Sequence, residues 1–152
     1  MAVVAAAAQL AAAAGVGHRP IVGTDRGETL TGTRGPDRIM GRGGEDRIVA
    51  GARGDTVFGG RGHDVVRGGR GGDELVGGPD GATAIGGSGR DGFNMRSGVA
   101  VAGGGRDVIR ARDGRPDEIN CGRGEDVAYV DRVEDGVYDC ERVIAPGEGG
   151  PG

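Results

Sequence analysis

An apolar residue recurs every nine positions through the middle of the chain, at Leu30, Ile39, Ile48, Val57, Val66, Leu75, Ala84 and Phe93. Two places before each stands Glu28, Asp37, Asp46, Asp55, Asp64, Asp73, Ala82 or Asp91, acidic in every unit but one. One apolar position in nine fits neither the 3.6-residue period of an amphipathic helix nor the alternation of a long half-buried strand. A fixed period of this kind marks a stack of like units rather than a globule around a single core. In register the units read GTDRGETLT from Gly23, GTRGPDRIM from Gly32, GRGGEDRIV from Gly41, AGARGDTVF from Ala50, GGRGHDVVR from Gly59 and GGRGGDELV from Gly68. GGPDGATAI from Gly77 and GGSGRDGFN from Gly86 complete the run. Each unit divides into a six-residue turn, where glycine permits left-handed backbone, and a three-residue strand that points one aliphatic side chain inward.

Between Met95 and Val101 the register breaks by two residues, and AGGGRDVIR from Ala102 restores it with Asp107 and Ile109. A looser block follows in RDGRPDEIN from Arg112, CGRGEDVAY from Cys121 and VDRVEDGVY from Val130, with acids at Asp117, Asp126 and Asp135. The chain therefore divides into an apolar leader over 1–17, regular repeats over 23–94, degenerate repeats with a C-terminal cap over 95–143, and a patternless tail over 144–152, expected to be mobile.

Composition sharpens this picture. Gly makes up 37 of 152 residues, Trp is absent and aromatics are 3%, so a conventional apolar core is not expected at this one-domain length. The glycines fall in doublets and Pro is scarce, which excludes collagen, while composition alone leaves disorder open. Formal net charge is −4 and all 19 basic residues are arginine, so a nucleic acid or other extended polyanion is not an expected partner. The segment RGGRGG from Arg67 imitates an arginine-glycine nucleic-acid tract, but Asp64, Asp73 and Glu74 surround it and the nine-residue period already accounts for its glycines. The opening MAVVAAAAQLAAAAGVG has the apolar run and small-residue A-x-A arrangement of a secretory signal, without a preceding basic residue. It is short for a membrane span, and no other segment is long and apolar enough. Cys121 and Cys140 allow either one disulfide in an oxidising compartment or two thiols. Two histidines, Ser88, Ser97 and periodic aspartates show no spacing that suggests a nucleophile and its base, so catalysis is not expected. An ice-binding face would need a regular Thr ladder, which Arg38, Arg47, Thr56, Val65 and Glu74 do not make.

The units GGRGHDVVR and GGRGGDELV match the pattern G-G-x-G-x-D-x-U-x, and in this the chain resembles the RTX, or haemolysin-type calcium-binding, repeat family. The resemblance covers 23–94 well and 102–143 loosely. It implies an all-β fold, a right-handed parallel β-roll (a β-solenoid) with two nonapeptides per coil, in which equivalent loops on one side are two units apart in sequence. Carboxylates then stack in two ladders at one strand spacing, about 4.8 Å. One ladder is Asp37, Asp55, Asp73 and Asp91; the other is Glu28, Asp46 and Asp64, lapsing at Ala82. The family's answer to the repulsion is Ca²⁺ between adjacent loops, a hard cation that takes six to eight oxygens. The implied ligands are Asp37 with Asp55, Asp55 with Asp73, Asp73 with Asp91, and Asp46 with Asp64, with carbonyls near Gly60, Gly62, Gly69 and Gly71.

Three departures from the pattern carry expectations. Arg53 stands where a left-handed glycine belongs, so distortion of the Asp55 loop is expected. The acid displaced to Asp80 puts the Asp64/Ala82 site in doubt, and the degenerate block is expected to cap the solenoid without calcium. In the coil geometry Cys121 and Cys140, one coil and one further position apart, stack closely enough for a C-terminal disulfide. One aliphatic side chain per unit does not offset backbone entropy, so the metal-free chain is expected to be disordered and folding to be coupled to calcium. The resemblance thus implies a secreted, extracellular, non-catalytic calcium-binding protein. A calcium-rigidified adhesion module, or an accessory module of a larger secreted enzyme, is the alternative, and the sequence names no protein or surface partner.

Overall fold

A computed structural model of the chain describes residues 20–131 and 136–147. The signal-like leader, Asp135 and the end of the tail lie outside the described residues. Among those described, fifteen short strands follow one another: β1 (Ile21–Val22), β2 (Thr29–Thr31), β3 (Arg38–Gly43), β4 (Arg47–Ala52), β5 (Thr56–Arg61), β6 (Asp64–Arg70), β7 (Glu74–Val76) and β8 (Ala82–Gly89). The series continues with β9 (Gly92–Asn94), β10 (Gly98–Gly105), β11 (Val108–Ala111), β12 (Asp117–Gly124), β13 (Val127–Val130), β14 (Gly136–Tyr138) and β15 (Arg142–Ile144). Odd strands form one eight-stranded sheet and even strands a seven-stranded sheet, each in chain order and parallel at every pairing. A chain that alternates between two parallel sheets in this way is a β-solenoid of two units per coil. Among the described residues no helix is long and apolar enough to cross a membrane.

Register shows how the repeat becomes the coil. Ile39 pairs with Val57, and Ile48 with Val66, each partner standing two whole units further along the chain. Phe93 pairs with Ile109, two positions short of two units, so the break in the period is one shortened coil. Val108 then pairs with Val127, one position beyond two units, where the chain takes up an extra residue after β11.

The apolar positions form two facing columns. Ile21, Ile39, Val57, Leu75, Phe93, Ile109 and Ala128 come from the first sheet, and Leu30, Ile48, Val66, Ala84, Ala100 and Ile119 from the second; all are buried. Volume is shared within a coil, so that Phe93, the largest buried side chain, shares its coil with Ala84, and the next coil over brings Ala100. This filling is what a thin core at close-packed density requires.

Most strands are longer than the three residues expected. β3 to β6 run on through the first residues of the next unit, because parallel coils in register keep pairing through Gly51 and Gly69 as they do through Ile48 and Val66. The turn is correspondingly shorter than expected.

Candidate metal centre

The loops that lead from the second sheet into the first carry Asp37, Asp55, Asp73, Asp91, Asp107 and Asp126, one per coil, all buried. From Asp55 onward, each side chain accepts the main-chain N–H of its counterpart one coil earlier. Asp37 N donates to Asp55 Oδ1 at 2.7 Å, Asp55 N to Asp73 Oδ1 at 2.9 Å, and Asp73 N to Asp91 Oδ1 at 2.8 Å. The series continues through the irregular coils, Asp91 N to Asp107 Oδ1 at 2.8 Å and Asp107 N to Asp126 Oδ1 at 2.7 Å, and closes with Asp126 N on Glu141 Oε2 at 2.9 Å.

The opposite edge repeats the device for fewer coils. Glu28 N donates to Asp46 Oδ1 and Asp46 N to Asp64 Oδ1, both at 2.9 Å. Ala82 and then Gly98 occupy the next two ladder places, and Asp117 follows. The displaced Asp80 accepts the Gly62 N–H at 3.0 Å from an exposed position instead.

In most of these residues one carboxylate oxygen is bound to main chain and the other is not, whereas Asp37 Oδ2 accepts the Thr33 N–H and hydroxyl. Oδ2 of Asp46, Asp55, Asp64, Asp73, Asp91, Asp107 and Asp126 is buried without a hydrogen-bond partner. Burial pushes the carboxyls of Asp55 and Asp64 up to about 6 and that of Asp91 up to about 7; the main-chain N–H on each pulls the other way, and neighbouring carboxylates add to the rise. Asp46, Asp73, Asp107 and Asp126 shift upward too, burial again leading.

The first glycine of a unit marks where these oxygens gather. A Cβ at Gly59 would stand 2.4 Å from the Gly77 carbonyl oxygen and 2.6 Å from Asp64 Oδ2. At Gly41 the corresponding oxygens are those of Gly59 and Asp46, at 2.3 and 2.4 Å, and at Gly68 those of Gly86 and Asp73, at 2.9 and 2.3 Å. At Gly86 they belong to Ala102 and Asp91, at 2.6 and 2.4 Å. A side chain there would collide with both oxygens, so these glycines are required by a close approach. Where the ladder lapses the surroundings change, since a Cβ at Gly77 would meet the Ala82 methyl at 3.1 Å and the Met95 thioether at 3.6 Å.

The donor set fits a hard cation. Carboxylate and carbonyl oxygens converge with no sulfur or imidazole among them, the chemistry calcium accepts with flexible geometry. No three His, Cys, Asp or Glu side chains gather at one point among the described residues, so such a site would draw on main-chain oxygens for most of its ligands.

The structure brings Asp37, Asp55, Asp73 and Asp91 together on one edge and Asp46 with Asp64 on the other. Gly60, Gly62, Gly69 and Gly71 are left-handed, with φ of 114°, 110°, 121° and 129°. The carbonyls of Gly60, Gly69 and Gly71 abut the backbone of Gly78, Gly87 and Gly89 one coil on. The expected distortion at Arg53 does not occur. Arg53 takes φ 77° and Asp55 keeps both ladder hydrogen bonds, because the coils on either side hold the loop in register. Arg42, which sequence reasoning passed over, is left-handed at φ 82° as well.

Asp107 and Asp126, placed by the sequence in a degenerate cap, prolong the same ladder, and Glu141, which sequence reasoning passed over, ends it. The ladder steps here are 16, 19 and 15 residues rather than two whole units, so a count of nine does not reach Glu141, although the apolar residue two places on, Ile109, Ala128 or Val143, is the available signal. Cys121 and Cys140 form a disulfide with Cα atoms 5.0 Å apart, which ties β12 to the turn after β14.

Residues 22–52 and 49–84 match the family model of the RTX calcium-binding nonapeptide repeat (4 copies). No curated protein and no solved structure matches the chain.

Proposed function

We propose that this chain, whose residues 22–84 carry RTX calcium-binding nonapeptide repeats, is a secreted protein in which calcium is a structural ligand that turns an extended chain into a rigid solenoid. The observation that carries the reading is the row of buried, unpartnered carboxylate oxygens. Leaving such a group buried and charged is costly unless a counter-charge meets it, and here the next oxygens are main-chain carbonyls, which cannot supply one. Asp37, Asp55, Asp73 and Asp91 on one edge, and Asp46 and Asp64 on the other, would hold the ions. Calcium supplies positive charge and a high coordination number at that position. The protein's part is to hold one carboxylate oxygen on a main-chain N–H and leave the other turned to the carbonyls.

The role is read as structural rather than catalytic. His63, Asp80 and Ser97 share one shallow groove, and among the described residues no hydrogen bond joins His63 to either of the others, so nothing in that groove favours a catalytic reading. The Cys121–Cys140 disulfide suits an oxidising compartment and supports export. In a calcium-poor cytosol the ladder carboxylates would keep the chain unfolded, the form in which an exported chain is threaded.

A calcium titration followed by far-UV circular dichroism, with equal magnesium as control, tests the reading. A cooperative rise of β signal with Ca²⁺ alone is expected, with a midpoint of about 10⁻⁴–10⁻³ M as for extracellular modules, and its loss in an Asp55→Ala, Asp73→Ala double variant. No response at about 10 mM Ca²⁺ would overturn it.

A further inference from the structure

Four arginines converge on the edge where the carboxylate ladder lapses. Arg96 follows β9, Arg110 ends the outward face of β11, and Arg112 and Arg115 belong to the loop that takes up the extra residue before β12. With Asn94 and Tyr129 they line an open groove of about 620 Å³, within the range of ~300–1,000 Å³ that holds small organic ligands. The groove arises because the coil is irregular there. The shortened coil and the extended one bring arginines from successive coils against Pro79, in the one unit that lost its ladder acid.

Two of the four are held in place. Arg112 donates from Nε to the Val130 carbonyl at 3.3 Å and from Nη2 to that of Ile144 at 2.9 Å, and its guanidinium lies 5.3 Å over the Tyr129 ring. Arg115 reaches back two coils to donate from Nη1 to the Pro79 carbonyl at 2.9 Å. Those contacts are to neutral acceptors, and among the described residues neither arginine makes an ion pair. Arg96 and Arg110 are exposed and have no ion-pair partner among the described residues. Asp113 is the one acid lining the groove among the described residues, and its Oδ1 accepts the Arg115 main-chain N–H at 3.0 Å.

We propose that this groove binds a compact organic polyanion, a ligand that carries two or more sulfate, carboxylate or phosphate groups on a frame small enough to sit among Arg96, Arg110, Arg112 and Arg115. Guanidinium forks match oxyanions in pairs of hydrogen bonds, and four like charges clustered beside one acid are costly until an anion joins them. The chain's net negative charge opposes a long polyanion that would run over the acidic ladders. It does not oppose a short one seated in a groove where, among the described residues, four arginines and one aspartate form the charged lining.

The experiment is calorimetric binding by the full chain in calcium-saturated chloride buffer. The probes are a multiply sulfated disaccharide, a disaccharide of two uronic acids, a neutral disaccharide and inorganic sulfate; the first two distinguish sulfate from carboxylate ligands. Arg96→Gln with Arg110→Gln is compared with Arg61→Gln with Arg67→Gln, a charge-matched change at exposed positions on regular coils. Saturable one-to-one binding of at least one acidic disaccharide is expected, weakened by about tenfold or more in the groove variant and by less than about twofold in the control, with no binding of the neutral sugar. An unchanged calcium-bound circular dichroism spectrum confirms that the groove variant is folded. The proposal fails if neither acidic disaccharide binds at about 10 mM, if both variants weaken binding equally, or if inorganic sulfate binds as tightly as the disaccharides.

Discussion

Individual residues of the repeat face two separate demands, backbone conformation and buried charge, and each can be probed alone. Arg53 at φ 77° sits where a Cβ costs about 1 kcal/mol. Arg53→Gly is therefore expected to raise the thermal midpoint of the calcium-bound protein, read by circular dichroism. Gly69→Ala should do the reverse, and more strongly, because a Cβ there would lie 2.1 Å from the Gly51 carbonyl oxygen at φ 121°. On the charge side, Asp91→Asn keeps an Oδ1 acceptor for the Asp73 N–H and removes the charge from the carboxyl raised to about 7. Metal-free variant protein should show more β structure than the parent at pH 8, while its calcium midpoint moves to higher concentration. A parallel loss of both would mean that the charge at Asp91 supports the fold without metal.

The element that matters is the coil rather than the strand. Each regular coil contributes one apolar side chain to each column and one ladder position to each edge, and the stack tolerates two shortened coils and a lengthened one because pairing resumes at the next strand. The C-terminal coils have less to hold them. β14 and β15 are short, and Tyr138 and Val143 are exposed, so the Cys121–Cys140 disulfide anchors elements with little burial of their own. A loop of this size contributes about 3 kcal/mol in the chain-entropy model. Under calcium, reduction should speed amide hydrogen exchange in β12 to β15 and leave β3 to β6 protected. Uniform deprotection would show instead that the solenoid unfolds as one unit.

For the whole molecule, the two edges are unequal. One ladder runs without interruption from Asp37 to Glu141, and the other stops at Asp64, where Ala82 and Met95 replace oxygen with methyl and thioether. The stacked carboxylates also give the metal-free fold a definite pH dependence. Carboxyls raised to about 6 at Asp55 and Asp64 and about 7 at Asp91 hold protons in the fold that the unfolded chain releases at about 3.9. Their contribution is full below about pH 4 and is lost as pH rises to about 7. With a calcium chelator, β signal should be greatest near pH 4 and fall towards pH 8; with calcium it should persist at pH 8, because the ion requires the ionised form. A metal-free β signal independent of pH over that span would contradict the carboxylates' role.

The period of nine, its acidic and apolar places and the missing acid at Ala82 were legible in the residues, and the two-ladder arrangement came from the resemblance to the RTX repeat; both hold because a solenoid stacks what is locally repeated. Other features depended on the tertiary structure. Asp107 and Asp126 continue one unbroken ladder to Glu141 only because pairing absorbs three irregular coils, of 16, 19 and 15 residues, a correction that a fixed count cannot make. Arg53 and Arg42 accept left-handed backbone only because neighbouring coils impose it. The first glycine at Gly41, Gly59, Gly68 and Gly86 marks the meeting of a carboxylate with a carbonyl from one coil on, and the arginine groove draws Arg115 to Pro79 across two coils. Local repetition determined the stack, while contacts between coils decided which side chains meet.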